Sequence, residues 1–143
     1  MANDIVIRKL AILSQLAIFK DIIPGYRIRS LTDKEKSEKV SQMVARTRDW
    51  EQGLVLVYQS YLRSLEVELK GKTAYLILSY THSLLTILVA KSELAEVALQ
   101  CICTLAQEVT HFNFRVNLMT CIVTRLSKKS WDKVCFALFH CTT

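Results

Sequence analysis

Five cysteines and three histidines are the residues of this chain that could do chemistry. A structural zinc site needs four ligands, usually opened by a close cysteine pair such as C-x-x-C. No such pair occurs. Cys101 and Cys103 stand two apart, so on a helix they point to nearly opposite sides. Cys135, His140 and Cys141 lie near one another, but no fourth ligand accompanies them. A Cys–His nucleophile needs a base that a third group orients. None of His82, His111 and His140 has a neighbouring motif that singles it out. His82 sits in an apolar stretch and reads as a core histidine, and His111 reads as part of a turn. There is no Gly-rich phosphate loop and no H-E-x-x-H. The expectation is a non-enzymatic protein with no metal, no cofactor and no small-molecule substrate. The odd cysteine count and the charged start (Asp4, Arg8, Lys9), with no signal-type apolar core behind it, predict reduced thiols in an intracellular protein.

Charge is the stronger signal. The chain of 143 residues has a formal net charge of +6 and an isoelectric point near 9.2. Lys20, Arg27, Arg29, Lys34, Lys36, Lys39, Arg46 and Arg48 fall in one window. Asp21, Asp33, Glu35 and Glu38 oppose them and leave +4 there. An excess of that kind favours acidic partners such as RNA, DNA or an acidic protein surface. Arg27 and Arg29 follow Pro24-Gly25, where a loop would let them fork onto phosphates or carboxylates. Tyr26 belongs to the same exposed link. The competing reading is a solvated, salt-bridged helix start.

Helices must position these residues. Half the chain is apolar, yet it holds one proline and three glycines, a scarcity of breakers that predicts long helices in a single helical region. Ile5 to Ile23 reads as the first, with Leu10, Leu13 and Ala17 on its apolar face and Ile5, Ile12, Leu16 and Phe19 beside them. Pro24 ends it, because the residue before a proline is pushed out of the helical region. Thr32 and Glu35 have the spacing of a capping box, from which one long helix is expected to about Leu69. Its apolar stripe is Val40, Met43, Val44, Trp50, Leu54, Tyr58, Tyr61, Leu62, Leu65 and Leu69. Gly53 inside it costs about 1 kcal/mol against alanine, which close packing would explain. Gly71 is placed for a C-terminal cap. Ser92 is expected to cap a fourth helix that buries Leu94, Val97, Ala98, Cys101 and Leu105. After a turn at 110–113, a fifth would bury Met119, Ile122, Val123 and Leu126. Ser130 would cap a sixth, carrying Trp131, Val134, Cys135 and Leu138. Short turns between such helices imply antiparallel neighbours, in the manner of an α-solenoid fragment of HEAT or armadillo type with one long helix.

Several ordered words of this chain resemble one family. FKDIIPGYRIR (Phe19–Arg29), Leu31-Thr32 with the charged helix start, Lys39-Val40-Ser41, RDWEQGL (Arg48–Leu54), Tyr58 and Tyr61-Leu62 are similar to the nucleolar complex protein 3 family. The likeness resumes at Glu96–Leu105 and at HFNFR (His111–Arg115). The resemblance implies an α-helical repeat-type protein of the nucleus and nucleolus, without enzymatic activity. It implies a scaffold in large ribosomal subunit maturation and rRNA processing, paired with a sister nucleolar complex protein and bound to precursor particles. It also implies chromatin binding in the initiation of DNA replication as an alternative. Family members are longer, so this chain is expected to be an N-terminal piece of the conserved region.

Residues 73–91 (TAYLILSYTHSLLTILVAK) depart from that pattern, and joining Lys72 to Ser92 restores a family-like run. We read them as an insertion or a gene-model artefact such as a retained intron. An alternative of another class is a small membrane protein spanning at 74–90, where 17 consecutive uncharged residues approach the ~20 that a span requires.

Overall fold

The computed structural model describes residues 5–74 and 82–126. Within them the protein is all-α, with no strand. Helices α1 (Ile5–Ile22), α2 (Asp33–Ser37), α3 (Gln42–Ala74), α4 (His82–Glu108) and α5 (Arg115–Leu126) follow in chain order. Helix α4 is the central element and packs against α3, α1 and α5. Arg8 and Lys9, neighbours on α1, pair with Glu68 of α3 and Glu93 of α4. At the other end, Tyr58 of α3 meets Phe112 just after α4. The two long helices therefore run antiparallel.

That central place explains the cysteines. A helix covered on several sides buries most of its circumference, and Cys101 and Cys103 are both fully enclosed although they diverge by spacing. They lie in a core with Tyr58, Leu65, Leu94, Ile102 and Leu105. Cys121 is half-buried, and burial followed by the nearby Glu66 pushes its thiol above the ordinary range. No group of three or more His, Cys, Asp or Glu among the described residues could hold a metal ion. Cys135, His140 and Cys141 lie outside those residues, as does the expected sixth helix with Ser130, Trp131, Val134 and Leu138.

The boundaries of α1 match the expectation from Pro24, and its buried face matches in part. Leu10 and Leu13 are exposed at 59% and 40%, and Ala17 is exposed too. Of the residues expected beside them, Phe19 is buried and Ile12 and Leu16 pack on the core, together with Ile23. The helix is apolar nearly all round, so its partner helices choose the face. Helix α5 is corrected likewise. Leu118 and Ile122 are buried and Cys121 packs beside them, whereas Met119 and Val123 stay exposed. Val97 of α4 is only half-buried.

The single long helix from Thr32 is two helices. The capping box is present: the Thr32 hydroxyl accepts the Glu35 N–H, and the Glu35 carboxylate accepts the Thr32 N–H at 2.9 Å. Yet α2 lasts five residues, and Glu38 turns extended at φ −73°, ψ 132°. A second start follows, where Ser41 Oγ accepts the Val44 N–H at 3.4 Å in the N-cap manner. The first stretch of the expected stripe accordingly faces water at Met43, Val44 and Trp50. From Leu54 onward the stripe is buried as expected.

Two expected helix ends are overturned as well. Helix α3 continues through Gly71 to Ala74, so that glycine is not its cap. Helix α4 begins ten residues before Ser92, which therefore caps nothing. Residues 73–74 and 82–91 of the expected insertion are thus helical, and 75–81 lie outside the described residues. Among the described residues no helix is long and apolar enough to cross a membrane.

Candidate partner-binding surface

The segment between α1 and α2 contains no regular structure, so its backbone needs partners from elsewhere. The turn at 110–114 supplies several. Asn113 receives the Ile28 N–H on Oδ1 at 3.1 Å and donates Nδ2–H to the Ile28 carbonyl at 2.8 Å. Its side-chain amide thus takes both backbone groups of one residue, as a paired strand would. His111 Nε2 lies 3.1 Å from the Pro24 carbonyl, which makes the ring nitrogen the donor. Helix α3 supplies the rest. Gln52 Nε2 donates to the Arg29 carbonyl at 3.1 Å, and Arg48 Nη1 to the Glu35 carbonyl at 3.0 Å. The Tyr26 hydroxyl donates to Glu51 Oε1 at 2.6 Å, and this bond raises the tyrosine above its ordinary range.

An aromatic cluster lies beneath. Phe19 stacks on Tyr61 at 5.0 Å between centroids and meets Tyr58 edge-on at 5.3 Å. Tyr58 touches Phe112 edge-on at 5.4 Å and Phe114 at 6.3 Å. Phe114 has φ 67°, the left-handed region that disfavours a bulky residue by roughly 1–3 kcal/mol. Its bend starts α5, where the Leu118 N–H bonds the Phe114 carbonyl at 3.2 Å. Tyr61 donates to the Ile12 carbonyl at 3.0 Å, and burial pushes its hydroxyl far up. The Tyr58 hydroxyl is enclosed without a hydrogen bond, and burial pushes it to about 12.

Side chains of the loop divide sharply. Ile28 is buried at 5% exposure, while Tyr26, Arg27 and Arg29 on either side of it face outward. The nine expected contact residues separate into two groups. Arg29 uses both guanidinium nitrogens on Glu35, with Nη1 at 2.9 Å from Oε2. That fork, followed by the bonds from Thr32, holds the Glu35 carboxyl well below the usual carboxylate range. Lys20 pairs with Glu108 at 2.8 Å and Lys36 with Asp33 at 3.1 Å. Arg48 and Tyr26 are engaged as described. The side chains of Arg27, Lys34, Lys39 and Arg46 make no hydrogen bond or ion pair among the described residues. These four are the cations that remain available. Asp21, Glu38 and Asp49 are exposed at the same end, so the surface is cationic with carboxylates between.

Sequence reasoning missed Asn113, His111, Gln52 and Glu51 as the parts that hold this surface. Their signal was present in the words RDWEQGL and HFNFR, distant in sequence, which the fold brings against FKDIIPGYRIR. A family model for nucleolar complex-associated protein matches residues 1–61. Nucleolar complex-associated protein 3 of Arabidopsis thaliana is 41% identical over 119 residues, 83% of this chain and 12% of that protein. The match is to the nucleolar complex protein 3 family. The human nucleolar complex protein 3 homolog is 40% identical over 127 residues, 88% of this chain and 15% of its own length. Nucleolar complex-associated protein 3 of Saccharomyces cerevisiae is 35% identical over 120 residues, 84% of this chain and 16% of that protein. The chain thus spans between about an eighth and a sixth of the length of these relatives.

Proposed function

We propose that this chain is a non-enzymatic, nucleolar scaffold segment that docks on precursors of the large ribosomal subunit during rRNA maturation. The nucleolar location rests on relatives that are nucleolar complex proteins. The observation that carries the docking role is the clamped loop. Polar bonds from α3 and the 110–114 turn hold its backbone, and Arg27, Lys34, Lys39 and Arg46 have no partner among the described residues. A rigid surface with free cations suits phosphate contacts, because little side-chain or loop order is lost on binding. The sister nucleolar complex protein is the proposed protein partner.

The test is affinity purification of the tagged chain from nuclear extract, with halves treated with RNase or DNase. Precursor large-subunit RNA and a sister nucleolar complex protein should be recovered, and RNase should release the particle. Replacing Arg27, Lys34, Lys39 and Arg46 together by alanine should lower RNA recovery about tenfold, in line with the strong salt dependence of phosphate contacts. Replacing Lys20 and Lys36, which are internally paired, should leave it nearly unchanged. Release by DNase alone would favour the chromatin reading, and equal recovery from both variants would refute the assignment of the free cations.

A further inference from the structure

A groove of about 580 Å³ runs between α1 and α3. Phe19, Leu54 and Tyr61 form its floor and are buried. Its walls are Ile18, Ile22, Trp50 and Val57, exposed at 55%, 39%, 52% and 60%. Large apolar side chains gathered around a concavity mark an interaction site more often than solitary exposed ones do.

Gly53 lies in the middle of this groove. Glycine inside a helix is disfavoured relative to alanine, and here the fold gives no reason for it. A Cβ built at Gly53 would meet nothing within 4 Å. The close packing expected from the sequence is therefore absent among the described residues. That space is open to a side chain that approaches from beyond the described residues.

Residues 46, 50, 53, 57, 60 and 64 are spaced four, three, four, three and four apart, so they form one stripe along α3. Arg46 continues the groove wall by one turn beyond Trp50, is exposed, and has no ion pair among the described residues. The groove thus opens at the cationic end of the molecule, with Asp49 on its outer shoulder. Two helices side by side offer a channel whose ridges fit a third helix, and helix-in-groove docking uses apolar anchors at three- and four-residue spacing.

We propose that this groove receives an amphipathic helix of another protein, laid across Gly53 with its apolar stripe down and carboxylates over Arg46. The proposal rests on the groove, and it takes Arg46 from the cations assigned above to RNA. Its test is a photo-crosslinking residue at Val57 in the tagged full chain in cells, with Val116 of α5, also exposed, as the control position. The expected result is a dominant adduct from Val57 and not from Val116. Its cross-linked peptide should show apolar residues at helical spacing next to acidic ones. Gly53→Ala should raise the melting temperature of the chain while lowering adduct yield severalfold, and Arg46→Glu should lower the yield without changing that temperature. An adduct with RNA, with a second copy or with this chain's own residues would overturn the proposal, as would no adduct above the control. A lower melting temperature for Gly53→Ala would overturn it too, because the fold itself would then require the glycine.

Discussion

The loop between α1 and α2 and the groove between α1 and α3 are built in opposite ways. The loop lacks helix and strand, yet its backbone is bonded at Pro24, Ile28 and Arg29 by side chains from distant elements. The groove has regular helices on both sides, yet it is lined by apolar side chains and by a glycine whose added Cβ would meet nothing within 4 Å among the described residues. Regular structure and internal satisfaction are therefore separate properties. A loop becomes rigid when its orphan N–H and C=O groups find partners, and a helix face remains unfinished when its apolar surface finds none.

If the loop is as firmly built as this contrast says, damage beneath it should cost more than damage at its edge. Phe112 is buried against the Tyr58 ring, and Phe112→Ala should destabilise the chain by about 3–5 kcal/mol, as for other buried aromatics cut to alanine. Urea unfolding would measure it. A loss below about 1 kcal/mol would mean that the aromatic cluster is not the support of the 110–114 turn.

Asn113→Ala removes both partners of Ile28 and should cost about 1–3 kcal/mol, the range for buried polar groups left unsatisfied. The same experiment separates backbone clamping from packing, since the apolar contacts of Ile28 remain. Asn113→Asp should restore only the accepting half.

The smallest effect is expected at the exposed clasp of Glu35. Arg29 and Thr32 bind its ionised form, so its folded pKa lies below the ordinary value of 4.5. The sign follows from linkage. The clasp's contribution is complete above pH 4.5, is reduced as pH falls below it, and is gone below the folded pKa. An NMR titration of the Glu35 carboxyl should show a midpoint below 4.5 in the wild-type chain and a return toward it in Arg29→Ala. Equal midpoints in the two proteins would remove the clasp from the account.

Local chemistry made much of this legible from sequence. Pro24 marked the end of α1, and Thr32 with Glu35 marked the start of α2, because both signals act within one turn of chain. Tyr58 through Leu69 gave the buried stripe of α3 correctly. Where several faces were equally apolar, sequence did not decide. Leu10 and Leu13 were as good a core as Phe19 and Leu16 until α3 and α4 were placed. Ile122 was read correctly, whereas Met119 and Val123 gave way to Leu118 for the same reason. The break at Glu38–Ser41 was overlooked because the charged start of the stripe could belong to a continuous helix, and Ser41 is a weak cap signal beside Thr32. At the candidate site, the types and places of the cations were plain. Which of them are already engaged was not, because Arg29, Lys20 and Arg48 find partners only in the folded chain. The clamp by Asn113 spans 85 residues, and no spacing rule reaches that far.

Amide hydrogen exchange at Ile28 tests the clamp most directly. Its N–H lies in a segment without helix or strand and is bonded only to the Asn113 side chain. The account predicts protection comparable to the amides of α3 near Tyr58, lost in Asn113→Ala while those of α3 stay protected. Exchange at the rate of an open loop in the wild-type chain would contradict it.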